Sequence, residues 1–221
     1  MKTAQNRITP YQAQLNSDDA QLIDWFSQML IRPLDEQMVK LYRSEATLQF
    51  IANFGEELGC QEIASTLCKQ LMDGDIKDVQ HHLNWSYTML FEGVSGPRTI
   101  SLYESGYIGD GTRLFQQPFV DMQAILQKLD VSVGDGCKEP ADHIALELAA
   151  FAEALRQQND EIKVALYQRI MRWLPQLIED VSQMQFGGFY HNVLFLLDAY
   201  LTSFYNHSPE HFDASLKITE D

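Results

Sequence analysis

His207-Ser-Pro-Glu-His211 sets two histidines and a glutamate at the H-x-x-E-H spacing, with which one helical face can grip zinc beside a carboxylate base. Pro209 interrupts the helix that this chemistry needs, so no zinc hydrolase is expected there. His81-His82 and Asp142-His143 are the other groups able to hold a metal, in the manner of a phosphohydrolase. Their His-Asp doublet is reversed, however, and His81 and His82 would point about 100° apart on a helix. Asp78-Val-Gln-His81 is the nearest approach to a di-iron Glu-x-x-His motif, and it has no second copy. A phosphate-binding glycine loop and a Gly-x-Ser-x-Gly elbow are both absent. Cys60, Cys68 and Cys137 form no Cys-x-x-Cys pair and read as reduced thiols. The expectation is no catalysis, no metal and no resident cofactor. An all-α metal- or nucleotide-dependent hydrolase using His81, His82, Asp142 and His143 stands as the alternative.

What must position these residues is a soluble globular chain. Of 221 residues, 45% are hydrophobic and 21% charged, which is ordinary usage and argues against disorder. Sixteen Lys and Arg against 31 Asp and Glu leave a net charge of −15. Such a body repels phosphate backbones, so nucleic acid is excluded as the main partner and a basic peptide or protein is favoured. The first ten residues have no apolar run of the secretory kind, and stretches such as Val193–Leu197 are far short of the ~20 residues of a membrane span. A cytoplasmic protein with no membrane insertion is expected.

The apolar period is helical nearly everywhere, which predicts an all-α fold, a globular bundle of roughly ten helices. Ser17, followed by Asp18 and Asp19, reads as the N-cap of the first, with Leu22, Phe26, Met29 and Leu30 on one face. Ser44 reads as a second cap and Asn159-Asp160 as a third. Ile76, Val79, Leu83, Tyr87, Leu90 and Phe91 form a stripe that closes at Gly93. Pro118 must kink its helix or mark the real start, because it lacks the N–H. Pro140 suits a helix's first turn.

The period lapses twice. Between Gly93 and Gly111 lies an irregular stretch whose Leu102, Tyr103 and Tyr107 are too apolar for a solvated linker, and loops of that length are often functional. Residues 131–138 contain Gly134 and Gly136 and read as a hinge between an N-terminal block, 1–130, and a C-terminal block, 139–221. Exchange of blocks across it would give a domain-swapped dimer beside the monomer. Taken alone, Tyr87, Leu90 and Phe91 read equally as plain core, and Asp142-His143 as capping chemistry. Together with the irregular loop, these aromatic and acidic groups are what a peptide groove needs.

At these residues the chain resembles the TorD/DmsD/NarJ family, chaperones that mature molybdenum-containing respiratory reductases. The resemblance rests on Tyr87-Thr-Met-Leu90-Phe91-Glu-Gly93, then Leu102-Tyr103-Glu-Ser105-Gly-Tyr107, then Glu139-Pro140-Ala-Asp142-His143-Ile144. It implies a cytoplasmic, non-enzymatic chaperone that binds the twin-arginine signal peptide of an apo-molybdoenzyme. Such a chaperone aids molybdopterin insertion and delays export. The most similar branch serves trimethylamine N-oxide reductase. Residue by residue, the resemblance puts peptide contact on Tyr87, Leu90, Leu102, Tyr103, Ser105, Asp142 and His143. Weak GTP binding is implied by the resemblance alone. Two departures stand out: Arg169-Ile-Met-Arg172-Trp173 replaces a frequent His-Leu-x-Pro-Trp, and Leu102 stands where relatives often have proline.

Overall fold

The computed structural model describes residues 10–93, 99–109, 115–134, 136–185 and 188–207, with the side chains of 10–16 and 207 excepted. Among the described residues there are nine α-helices: α1 (Pro10–Leu30), α2 (Glu36–Tyr42), α3 (Glu45–Glu57), α4 (Gln61–Met72), α5 (Ile76–Phe91), α6 (Gln117–Lys128), α7 (Ile144–Arg156), α8 (Asp160–Ser182) and α9 (Gly188–His207). Their only β pairing is an isolated antiparallel bridge between Tyr103 and His143. The all-α expectation holds. No described helix is long and apolar enough to cross a membrane. The His207–His211 motif lies largely outside the described residues.

Capping chemistry sets most helix starts. Ser44 Oγ accepts from Thr47 N–H to open α3, and Asn159 Oδ1 accepts from Ile162 N–H to open α8. Pro118 marks a start and not a kink, since it sits in the first turn of α6. Two sequence expectations are corrected. Helix α1 begins at Pro10, so Ser17 lies inside it with its side chain exposed, and caps nothing. Pro140 precedes α7 by a turn, and the cap is His143. Helix α3 runs past Gly55, because the lack of a Cβ there lets its backbone approach Ala64 of α4.

The core is one cluster. Ile23, Phe26 and Leu30 of α1 and Leu148, Phe151 and Leu155 of α7 are fully buried, as are Leu194, Leu197 and Leu201 of α9. Each such side chain contributes about 1.5–3 kcal/mol. Helix α1 packs chiefly on α7, α3 on α4, α8 on both α7 and α9, and α4 on α9. Polar clasps fix the α1–α7 register: Ser27 Oγ donates to Ala145 O at 2.8 Å, and Arg156 pairs with Asp24. Residues 131–138 carry no helix where described, yet helices from before and after them share this core.

Candidate functional site

Three chain segments meet where the sequence placed its groove, and backbone bonds hold them together. Helix α5 ends at Phe91 and the chain turns at Gly93, whose φ of 79° suits glycine. Ile100 N–H then returns to Leu90 O at 2.8 Å. From there the loop runs antiparallel to the approach to α7: Ile144 N–H donates to Leu102 O at 2.8 Å, and Glu104 N–H to Asp142 O at 2.9 Å. A 3-10 turn, Glu104–Gly106, follows.

Between these segments and the end of α1 lies a cavity of about 100 Å³. Ile31, Pro33, Phe91 and Leu102 give it apolar walls, Tyr87, Tyr103 and His143 give it polar-tipped rings, and Arg32, Glu92 and Glu139 charge it. Tyr87 is nearly all buried and its hydroxyl donates to Leu30 O at 3.0 Å, so its ring, and not its hydroxyl, faces the space. Burial, with Glu139 and Glu92 nearby, pushes that phenol far above its ordinary range. Tyr103 donates to Glu139 Oε2 at 2.6 Å and packs edge-on against His143, ring centroids 5.1 Å apart.

His143 has a defined electronic state. Its Nδ1 accepts from Ala145 N–H at 3.1 Å, which caps α7, and burial pulls its pKa down to about 4. The ring is therefore neutral, and the accepting Nδ1 places the proton on Nε2. A pH signature follows. Between about 6.5 and 4 the unfolded chain binds a proton here that the folded one does not, so stability is lost as the pH drops through that window. His143→Asn keeps a capping oxygen but cannot titrate. Its melting temperature should fall less than the wild type's between pH 6.5 and 4.5, and parallel melting curves would refute this state of His143.

The seven residues singled out from the sequence divide. Tyr87, Leu102, Tyr103 and His143 line this cavity. Leu90, Ser105 and Asp142 are buried and do not line it. Asp142 is fully buried, its Oδ2 accepting from Ser105 N–H at 3.1 Å and from Ser105 Oγ, while its Oδ1 has no partner among the described residues. It binds the loop to the start of α7. His81 and His82 are exposed on α5, far in character from buried Asp142 and His143, and no three potential ligands group among the described residues. Sequence reasoning missed Ile31, Arg32, Pro33 and Glu92, and it took in Glu139 only as the start of a motif, with no contact named for it.

Behind the loop sits a buried ionic network. Glu104, fully buried, is flanked by the guanidinium groups of Arg169 and, at 2.6 Å, Arg172. Arg169 Nε also donates to Glu147 Oε1 at 2.9 Å, Trp173 Nε1 donates to Glu147 Oε2 at 3.2 Å, and Arg169 reaches Pro118 O at 2.5 Å. Burial pushes the Glu147 carboxyl up, Arg169 draws it back, and Glu104 adds to the rise. Tyr107 stacks on Trp173 with centroids 5.2 Å apart. The Arg169–Trp173 segment is thus the clamp that seats the 99–109 loop on α8.

Known proteins resemble this chain along most of its length. The family model of the nitrate reductase delta subunit matches residues 55–189. The chain belongs to this family, the TorD/NarJ family that its motifs resemble. It is 29% identical over 202 residues to the chaperone protein TorD of Vibrio parahaemolyticus, covering 84% of this chain and 92% of that one. With TorD of Vibrio atlanticus it shares 26% identity over 198 residues, again 84% and 92% of the two chains. A solved structure titled as a redox enzyme maturation protein of Archaeoglobus fulgidus aligns with a TM-score of 0.49 at 17% identity, over 87% of this chain and 96% of that one.

Proposed function

We propose that this protein is a cytoplasmic maturation chaperone of the TorD type. It binds the twin-arginine signal peptide of an apo-molybdoenzyme, holds the client open for molybdopterin insertion and delays its export. The client in this reading is trimethylamine N-oxide reductase, after the TorD relatives. The observation that carries the reading is the cavity between the ends of α1 and α5, the 99–109 loop and the start of α7. It offers aromatic and aliphatic walls to the apolar part of a signal peptide and carboxylates to its arginines, on a body of net charge −15.

In this reading the seven residues work in two ways. Tyr103, Leu102, Tyr87 and His143 meet the peptide, while Leu90, Ser105 and Asp142 hold the loop in register behind them. Tyr103, half-buried over the cavity, is the contact to remove.

Calorimetric titration with synthetic signal peptides tests the reading. The reductase signal should bind, with the heat-capacity decrease of apolar burial. Unrelated twin-arginine signals should bind more weakly. Tyr103→Ala should lose roughly 1.5–3 kcal/mol of binding, the worth of a large side chain's apolar contact, with little dependence on salt and little change in melting. No heat with any signal peptide, under conditions where the protein is folded, would sink the proposal.

A further inference from the structure

The carboxylates of Glu92 and Glu139 share a feature that the binding of a generic apolar peptide does not use. Each has one oxygen held by a neighbouring hydroxyl: Thr88 Oγ1 donates to Glu92 Oε2 at 2.9 Å, and Tyr103 to Glu139 Oε2 at 2.6 Å. The other oxygen of each is unengaged among the described residues, and neither group is in an ion pair there. Both lie close enough to Tyr87 to raise its pKa, so they face one space from opposite segments, the end of α5 and the approach to α7. Arg32, exposed at the rim, is in no ion pair among the described residues either, so the described lining sets one positive group against two negative ones.

A second observation comes from His143. The residue is only 2% exposed, it lines the cavity, and its Nδ1 is taken by Ala145. Its remaining ring nitrogen has no partner among the described residues, and it is not sealed off as a buried orphan would be. Open to the cavity, that N–H is free to donate to a group that enters it.

We propose that Glu92 and Glu139 form a clamp for a single guanidinium group of the bound peptide, and that His143 Nε2–H donates to a main-chain carbonyl beside that arginine. This rests on the peptide-binding reading above and names its specificity residues. A guanidinium presents a planar fork of five N–H donors, so it can serve two carboxylates on different edges at once. An ammonium at the same point can pair as a charge but cannot bridge in that plane. The volume of about 100 Å³ has room for a guanidinium head between the two carboxylates.

The test is calorimetric titration of the full-length protein with a twin-arginine signal peptide and with its Lys-Lys counterpart, each at low and high salt. Wild type should prefer the arginine peptide by tenfold or more. Glu92→Gln and Glu139→Gln should each weaken the arginine peptide by about tenfold or more, with the loss shrinking at high salt. In the double variant the two peptides should bind equally. His143→Asn, which keeps the cap, should weaken both peptides alike and leave the preference intact. Melting curves confirm that each variant is folded. If wild type binds and the glutamine variants discriminate as it does, the clamp is wrong while the chaperone reading survives. If folded wild type binds neither peptide, both fall.

Discussion

Arg169→Met is expected to destabilise the fold by about 3–5 kcal/mol, the range for removing one partner from a buried ionic network. The reason is the number of groups it serves. Glu104 and Glu147 are both fully buried, and Arg169 is in contact with both as well as with Pro118 O. Without it, among the described residues, Glu147 keeps only Trp173 Nε1–H and Glu104 keeps only Arg172. Arg172 is 57% exposed, so screening limits what it can offer. Arg172→Met should therefore fall well short of the Arg169 variant. Urea unfolding followed by circular dichroism reads both. Pairing Arg169→Met with Glu147→Gln should recover part of the loss, because the stranded charge is gone. Equal effects of the two arginine variants would contradict the hierarchy of burial.

Trp173→Ala should lose a comparable 3–5 kcal/mol, the range for truncating a buried tryptophan. Two separable losses are combined in it. The ring fills space at 1% exposure beneath Tyr107, and its N–H satisfies Glu147. Trp173→Phe restores most of the packing but not the donor, and should lose about 1.5–3 kcal/mol, as for a hydrogen bond to a charged acceptor. On a chain of this size each kcal/mol moves the melting temperature by roughly 2–4 °C, so thermal melts resolve the two variants. Because Tyr107 belongs to the 99–109 loop, peptide binding should weaken in both. A Phe variant as stable as wild type would remove the Trp173–Glu147 bond from this account.

Helices were the legible part, because burial against one core imposes the 3.6-residue period on every face that packs. Caps were legible where a small polar side chain had no rival, as at Ser44 and Asn159. They misled at Ser17, where a Ser-Asp-Asp run fits a cap equally well as an exposed stripe inside a longer helix, and Pro10 was the true start signal. The site was legible through its motifs in Tyr87, Leu102, Tyr103 and His143, which do converge. The burial of Asp142 was not legible. It depends on the loop at 103–105 folding back onto residues some 37 positions later, a pairing with no local signal. Glu92 went unread, and Glu139 was read only as part of a motif, for the opposite reason: acidic residues near helix ends are usually just solvated, and only the shared cavity distinguishes them.

Packing of α1 against α7 has a consequence for synthesis. Ser27 and Ala145, which clasp the two helices, are 118 residues apart. At roughly 5–20 residues per second, a ribosome needs about 6–24 s to make the second after the first. For that interval the apolar face of α1, with Ile23, Phe26 and Leu30, has no α7 to cover it. A protein proposed to shelter another's unfinished chain thus spends its own first seconds with a similar surface uncovered.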